Sequence, residues 1–365
     1  MAITRRFQTG LEVNDLLSEF IRHVGDVTTW VRVSSTQKYT GNYSLAISGP
    51  NDVAWGRTDS VQVDLTGTYQ LRMGFYIRPG PLHAPAAGHS GIIFTLLGSS
   101  DQELAHMRTD ENVGYYQVYQ GGTPGTYIGQ FPVALNEWFH FGIDVKFDGS
   151  SGWISVYKDG VQVVSKTGNT GTTQCAKVNF GDEPWHVDEH GAKLSYSNPT
   201  YLDDIYIDDT TGETQAAVVP DRQFALLLPN GTGNYSQWTG SDGDQVNNYQ
   251  LVDEIPPDDD TTYVKGNSLG IKDSYTMQDY SLPDNKEIKA VIPIALARKE
   301  STADNKIKIG ARLVETDVLG SSINVPISYE IFDFDYQETK PGGGSWTEND
   351  VNDAELVIET EGDFS

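Results

Sequence analysis

Several groups of side chains in this 365-residue chain could do chemistry. His186, Asp188 and His190 recur at alternate positions in Trp185-His-Val-Asp-Glu-His190. On a strand those three share one face, where two imidazoles and a carboxylate suit a transition metal. In a loop they are ordinary polar residues. Trp55, Tyr115, Tyr116, Tyr119 and Tyr127 offer rings that could stack on pyranose faces, although alternating aromatics also serve core and edge packing. Asp203, Asp204 and Asp208 bring three carboxylates into one strand candidate, and Pro256-Pro-Asp-Asp-Asp260 is a rigid acidic turn.

The elements that must position these groups read as strands. Leu71 to Ile77 is an apolar-rich run stopped by Pro79-Gly80, and Gly91 to Leu97 is the continuous apolar run of a strand buried on both faces. Val113 to Tyr119 is rich in aromatics, and Trp138 to Val145 alternates. Trp153 to Lys158 meets Asp159-Gly160 and then Val161 to Val164, which predicts a hairpin closed by a two-residue type I′ turn. Asn179 to Ser197 reads as a loop, and Tyr201 to Asp208 as a last strand. Further on, Phe224 to Leu228, Ile288 to Ala297, Ile307 to Val314, Ile323 to Tyr336 and Leu356 to Ile358 are strand candidates. Only Asn14 to Ile21 and Asn349 to Ala354, the latter capped by Thr347, look helical. Turn signals every 8 to 12 residues or so predict an all-β chain with two sandwiches, residues 1–212 and a smaller domain over 213–365.

Charge separates the two parts. The chain carries 51 acidic and 25 basic residues, a net charge of −26. Residues 1–212 hold 23 acids and 14 bases, and residues 213–365 hold 28 and 11. Such a surface repels phosphate backbones and anionic bilayers, so neither nucleic acid nor a membrane is expected as partner. Cys175 is the only cysteine, which excludes an internal disulfide and suits a small buried side chain. No apolar segment follows Arg5-Arg6, so synthesis in a cytoplasm is expected, with any export by another route such as cell lysis.

Asn136-Glu-Trp-Phe-His-Phe-Gly-Ile-Asp-Val145 followed by Gly152-Trp-Ile-Ser-Val-Tyr-Lys-Asp-Gly-Val161 resembles the signature of laminin-G and concanavalin A-like domains. Leu202 to Ile207 is similar to their last strand, and Arg6-Phe-Gln-Thr-Gly-Leu-Glu12 to the first strand of many such jelly rolls. The resemblance implies a jelly-roll sandwich over about residues 5–210. It also implies a structural calcium ion held between Glu12 and Asp204, the positions that match the first-strand Glu and last-strand Asp of those domains. Val13-Asn-Asp15 replaces their usual Gly-rich turn. Glycoside hydrolases of this fold place carboxylates in a pattern like E-x-D-x-x-E, because the retaining mechanism needs two carboxyls about 5–5.5 Å apart. That pattern does not occur, and the chain is expected to have no enzymatic activity.

Phe224 to Trp238, Asn248 to Tyr263 and Gly344 to Asn352 together resemble a module of tailed-bacteriophage structural proteins. The resemblance implies a virion component (capsid decoration, fibre or tail) that contacts other capsid or tail proteins and forms homo-oligomers. A cell-surface glycan is the expected ligand of the aromatic face of Trp55, Tyr115, Tyr116 and Tyr119. A lectin-like carbohydrate-binding protein is the alternative, with a glycan-cleaving enzyme third.

Overall fold

The computed structural model describes residues 4–12, 22–24, 31–47, 60–80, 91–109, 114–122, 125–181, 199–300, 303–333 and 337–362. Trp55, the His186/Asp188/His190 group and the expected helix at 14–21 lie outside these residues.

The chain divides into two compact units, residues 1–226 and 227–365, so the boundary falls beyond the expected position at 212. Strands in the first unit are β1 (Thr4–Thr9), β2 (Arg22–Val24), β3 (Val31–Ser34), β4 (Ser44–Ile47) and β5 (Ser60–Thr68). Next come β6 (Gln70–Arg78), β7 (Ile92–Leu97), β8 (Glu103–Thr109), β9 (Tyr115–Gln120) and β10 (Thr126–Pro132). Last are β11 (Phe139–Lys146), β12 (Gly152–Lys158), β13 (Val161–Gly168), β14 (Cys175–Gly181) and β15 (Thr200–Asp209). They build an antiparallel sandwich. One sheet runs β13-β12-β11-β6-β15-β4-β3 with β1 also paired to β15, and the other runs β10-β9-β8-β7-β14-β5-β2. The first unit is thus an all-β jelly-roll sandwich.

Period-two alternation explains why these strands form one core. Val61, Phe180, Phe94, Met107 and Val118 lie opposite one another across five neighbouring strands, all fully buried. From the facing sheet Phe75 and Phe141 stack on each other at 4.8 Å, with Phe94 and Phe180 packed against them. Cys175 is buried in the same core. The expected hairpin is present: Lys158 pairs with Val161, and Asp159 and Gly160 take φ values of 48° and 76°. That is the left-handed pair a type I′ turn requires.

Residues 213–224 belong to the first unit and lie on the outer face of its eight-stranded sheet as a strap. The Tyr157 hydroxyl donates to the Ala216 carbonyl, Ala216 N donates to Asp144, and Val219 packs with Tyr157 and Tyr206. A Cβ at Gly142 would lie 2.4 Å from Val219 Cβ, so only glycine lets the strap approach there.

The second unit is a smaller all-β domain. Its strands are β16 (Pro229–Ser236), β17 (Thr239–Gly240), β18 (Val264–Lys265), β19 (Lys272–Met277) and β20 (Ile294–Ala297). They continue with β21 (Asn305–Leu313), β22 (Thr316–Leu319), β23 (Ile323–Asn324), β24 (Glu330–Asp333) and β25 (Glu355–Gly362). Its main sheet runs β16-β19-β25-β21-β22, with β23 also on β21. Two apolar clusters, around Trp346 and around Trp238, form its core. The strand expected at Phe224–Leu228 begins instead at Pro229, after the strap ends. Helix α1 (Glu348–Asn352) carries the expected Thr347 cap, closed as a capping box with Asp350. No helix among the described residues is long and apolar enough to cross a membrane.

Candidate functional site

Two places in the sandwich gather polar groups that its core does not need. The first lies where the first and last strands meet. β1 ends opposite Ile205, which carries Gly10-Leu11-Glu12 toward the middle of β15. There β15 bulges: between Asp203 and Tyr206 its register against β6 shifts, and Asp204 has φ of 52°. Adjacent residues in a regular strand point to opposite faces, and a bulge re-aims one of them. As a result Asp203, Asp204 and Glu12 all grip the loop at 39–43.

The grip is specific. Asp203 Oδ2 accepts Tyr39 N at 2.7 Å and Thr40 N at 3.2 Å. Both Asp204 oxygens accept the Thr40 hydroxyl, and Oδ1 also accepts Phe224 N from the end of the strap at 2.8 Å. Glu12 accepts Asn42 N on both oxygens and Tyr43 N at 3.2 Å. Asp203 and Asp204 are fully buried and Glu12 nearly so. Burial, reinforced by the Glu12 charge, pushes Asp203 up to about 7. Asp204 is raised well above the carboxylate range by burial and by the charge of Asp203, and burial raises Glu12 as well.

Glu12 and Asp204, paired in the sequence analysis, thus hold the same loop, and Asp203, named there only with its strand, holds it too. Three buried carboxylates suit a hard dication in charge and donor type. They are not gathered into a metal shell, however: among the described residues no three His, Cys, Asp or Glu side chains are so placed. A calcium ion here must take most of its six to eight oxygens from backbone carbonyls and water.

The second place is the outer face of the seven-stranded sheet. Register puts Gln62, Asn179, Thr95, His106, Tyr119 and Tyr127 in one row across β5, β14, β7, β8, β9 and β10. They occupy the face opposite the core row of Val61, Phe180, Phe94, Met107 and Val118. At spacings of about 4.8 Å the row spans roughly 24 Å. Gln62, Asn179, Thr95 and His106 are buried, yet none belongs to the apolar core. The Thr95 hydroxyl has no hydrogen-bond partner among the described residues.

The Tyr119 end is the most organised. His106 stacks on Tyr119 with centroids 5.0 Å apart and planes at 7°. The Arg108 guanidinium lies 4.3 Å from the Tyr119 ring centre, and its Nη2 donates to the Tyr119 hydroxyl at 2.6 Å. That hydroxyl donates to Gln117 Oε1 at 2.8 Å, and Arg108 Nε reaches the same oxygen at 3.2 Å. Glu103 Oε2 lies 3.8 Å from His106 Nδ1. Tyr127 makes an edge contact with Tyr119 and is half exposed.

The expected aromatic face is thus corrected. Tyr119 and the exposed Tyr115 do lie on the outer side. Tyr116 has the opposite parity on β9 and is buried at 2% exposure, with Phe131 against it edge-on at 5.9 Å. His106, Arg108, Gln117 and Asn179 were missed, although the alternation in Glu103-Leu-Ala-His-Met-Arg-Thr109 was a strand signal.

No family model and no curated protein matches the chain. Solved structures do match part of the chain. An endo-β-1,4-glucuronan lyase from the fungus Trichoderma reesei has a TM-score of 0.40 at 14% identity, over 58% of this chain and 98% of that one. An endo-1,3-β-glucanase from Streptomyces sioyaensis has a TM-score of 0.36 at 14% identity, over 50% and 78%. The catalytic domain of a glycoside hydrolase family 131 protein from Coprinopsis cinerea has a TM-score of 0.33 at 16% identity, over 54% and 84%. Similarity at this level concerns the fold alone. These neighbours are named as glycan-cleaving enzymes, so the expectation of a chain without enzymatic activity is corrected: the fold is one in which such enzymes occur. Lack of an E-x-D-x-x-E pattern removes one mechanism; it does not remove catalysis from such a fold.

Proposed function

We propose that this is a glycan-active protein that takes up a polysaccharide strand across the outer face of its seven-stranded sheet. The observation that supports this reading is the row from Gln62 to Tyr127. On that face Tyr115 and Tyr127 offer exposed rings, and the partly exposed Arg108 and Gln117 can bond sugar hydroxyls. A few convergent polar groups among aromatic side chains are what a ligand face needs. The neighbours named above act on glycans, in keeping with this reading.

Retention of the full chain on immobilised polysaccharides tests it. Retention by at least one polymer, weakened at least tenfold in Tyr127→Ala and Tyr115→Ala variants with unchanged thermal midpoints, is the expected result. Equal retention by the variants and the parent refutes the assignment of this face.

Calcium is proposed as a structural ion at Glu12 and Asp204, supported by their burial and by the loop at 39–43 that both hold. Placement on a phage particle, with capsid or tail proteins and further copies of the chain as partners, is proposed on the sequence resemblance of residues 224–238, 248–263 and 344–352. Mass spectrometry of purified particles tests that placement; absence of the chain from them refutes it.

A further inference from the structure

We infer that the outer face of the eight-stranded sheet is a peptide-recognition slot, and that a second copy of this chain fills it with the same strap. The inference rests on the proposed association between copies and deepens it by naming the surface. It does not involve the glycan face, which lies on the other sheet.

Four strands build the slot. Tyr157, Gly142, Gly74 and Tyr206 are cross-strand neighbours on β12, β11, β6 and β15. The two glycines make a floor, and the two tyrosines stand at its ends. A Cβ at Gly74 would lie 2.6 Å from the Tyr206 ring, and one at Gly142 would lie 2.4 Å from Val219 Cβ. Neither position accepts a side chain without displacing a neighbour. Three strand spacings of about 4.8 Å put the tyrosines roughly 14 Å apart. Ala216 and Pro220 are four positions apart in the strap, and four extended residues span about 13–14 Å. The Tyr157 hydroxyl donates to the Ala216 carbonyl, and the Tyr206 hydroxyl donates to the Pro220 carbonyl. The two tyrosines thus match an extended segment laid across the strands.

Recognition falls on the backbone and on one side chain. Asp144 accepts Ala216 N at 2.9 Å, and Asp204 accepts Phe224 N at 2.8 Å. Between residues 213 and 224 only Val219 is buried, packed with Tyr157 and Tyr206. Pro220 has no N–H to satisfy and favours an extended Val219. Arg222 adds charge: it lies 3.2 Å from Asp208 and 4.6 Å from the Tyr206 ring centre. Main-chain bonds for affinity and a pocket for specificity are how a groove holds a peptide. A core strand buries alternate side chains, whereas Thr214, Gln215, Ala217, Val218 and Asp221 are all exposed.

Every copy of the chain carries this ligand. A second copy's strap makes the same bonds in the same slot, so exchange trades equal contacts, which is the low-cost route to pairing by domain swapping. Thr211 and Gly212, both exposed, lead from β15 into the strap, and Gly212 at φ of 88° lies in the left-handed region. They are the hinge at which the strap turns to its own slot or to a neighbour's. With a net charge of −26 the copies repel one another in general, so their association needs a specific seat.

Complementation between two full-length variants tests the exchange. Gly142→Val closes the slot and leaves its strap free, whereas Val219→Asp spoils the strap and leaves its slot open. The expected result in sedimentation velocity is a one-to-one complex in the mixture that neither variant forms alone. In a control mixture the first chain carries both substitutions, and the complex is expected to vanish. A complex that persists in the control means that copies meet elsewhere, which overturns the exchange and leaves their association standing. No complex from variants with the parent's circular dichroism overturns the exchange as well. If either variant fails to fold, a labelled peptide of residues 213–224 added to a Val219→Ser chain decides by fluorescence polarisation. Saturable binding, at least about tenfold weaker for a peptide carrying Val219→Asp, supports a slot open to a strap from outside. No binding up to about 1 mM, the effective concentration that a short tether supplies, overturns it.

Discussion

His106 on β8 and Tyr119 on β9 are direct cross-strand partners whose rings lie parallel, 5.0 Å apart, on the face of the sheet opposite the core, and both are buried there. The pairing draws Arg108 and Gln117 into the same network, because they are the next cross-strand pair on that face. Removing only the Tyr119 hydroxyl separates chemistry from packing. Tyr119→Phe keeps the ring stack and loses one bond to a guanidinium and one to an amide, which costs about 1–3 kcal/mol of stability. Urea unfolding of parent and variant at matched pH measures that cost, and a larger loss makes the hydroxyl a structural necessity.

The carboxylate cluster predicts how stability depends on pH. Asp203 is lifted to about 7 in the folded chain, and Asp204 and Glu12 move in the same direction. A carboxylate held above its unfolded value binds its proton more tightly when folded. Its stabilising effect is complete below the unfolded value and is lost as pH rises through the folded one. Between about pH 4 and pH 7 the metal-free protein therefore loses a few kcal/mol from this cluster. Asp204→Asn removes a like charge, so the slope of unfolding free energy against pH flattens in that variant. An unchanged slope refutes the coupling.

Calcium acts on the same residues from the other side. A dication at Glu12 and Asp204 relieves their repulsion when both are ionised, so calcium raises the thermal midpoint near pH 8 more than near pH 5. At a hundredfold excess over its dissociation constant the gain is about 2.7 kcal/mol. Glu12→Gln abolishes the gain. Equal midpoints with calcium and with a chelator rule the ion out.

Gly142 reports on the strap. A valine there meets Val219 and forces the 213–224 segment away from Tyr157 and Tyr206. Overpacking of this kind costs about 1–3 kcal/mol. Amide exchange is expected to rise at Ala216 and Phe224, whose N–H groups bond Asp144 and Asp204.

In the second unit, Thr347→Ala opens the capping box with Asp350. The expected loss is about 1 kcal/mol, read as a lower unfolding midpoint. Thr347→Ser keeps the acceptor and most of the stability.

Much of the sandwich was legible before any coordinates. Strand β7 is buried along its whole length, as its unbroken apolar run implied, and Asp159-Gly160 closes the turn that its two residues demand. The less regular elements were not. β14 (Cys175–Gly181) was read partly as loop, since Lys177 and Asn179 interrupt its apolar residues on the outer face. β8 escaped notice because its polar positions do not match any known motif.

What the sequence determined by itself was the all-β class, the hairpin, and the likeness of Glu12 and Asp204 to a first and a last strand. These are local or pairwise properties, carried by alternation and turn chemistry. Only the tertiary structure decided that Gln62, Asn179, Thr95, His106, Tyr119 and Tyr127 form one row, because the register of six strands joins residues as far apart in sequence as Gln62 and Asn179. It also decided that Asp203 joins Glu12 and Asp204, because a bulge in β15 re-aims a side chain that strict alternation would send to the other face.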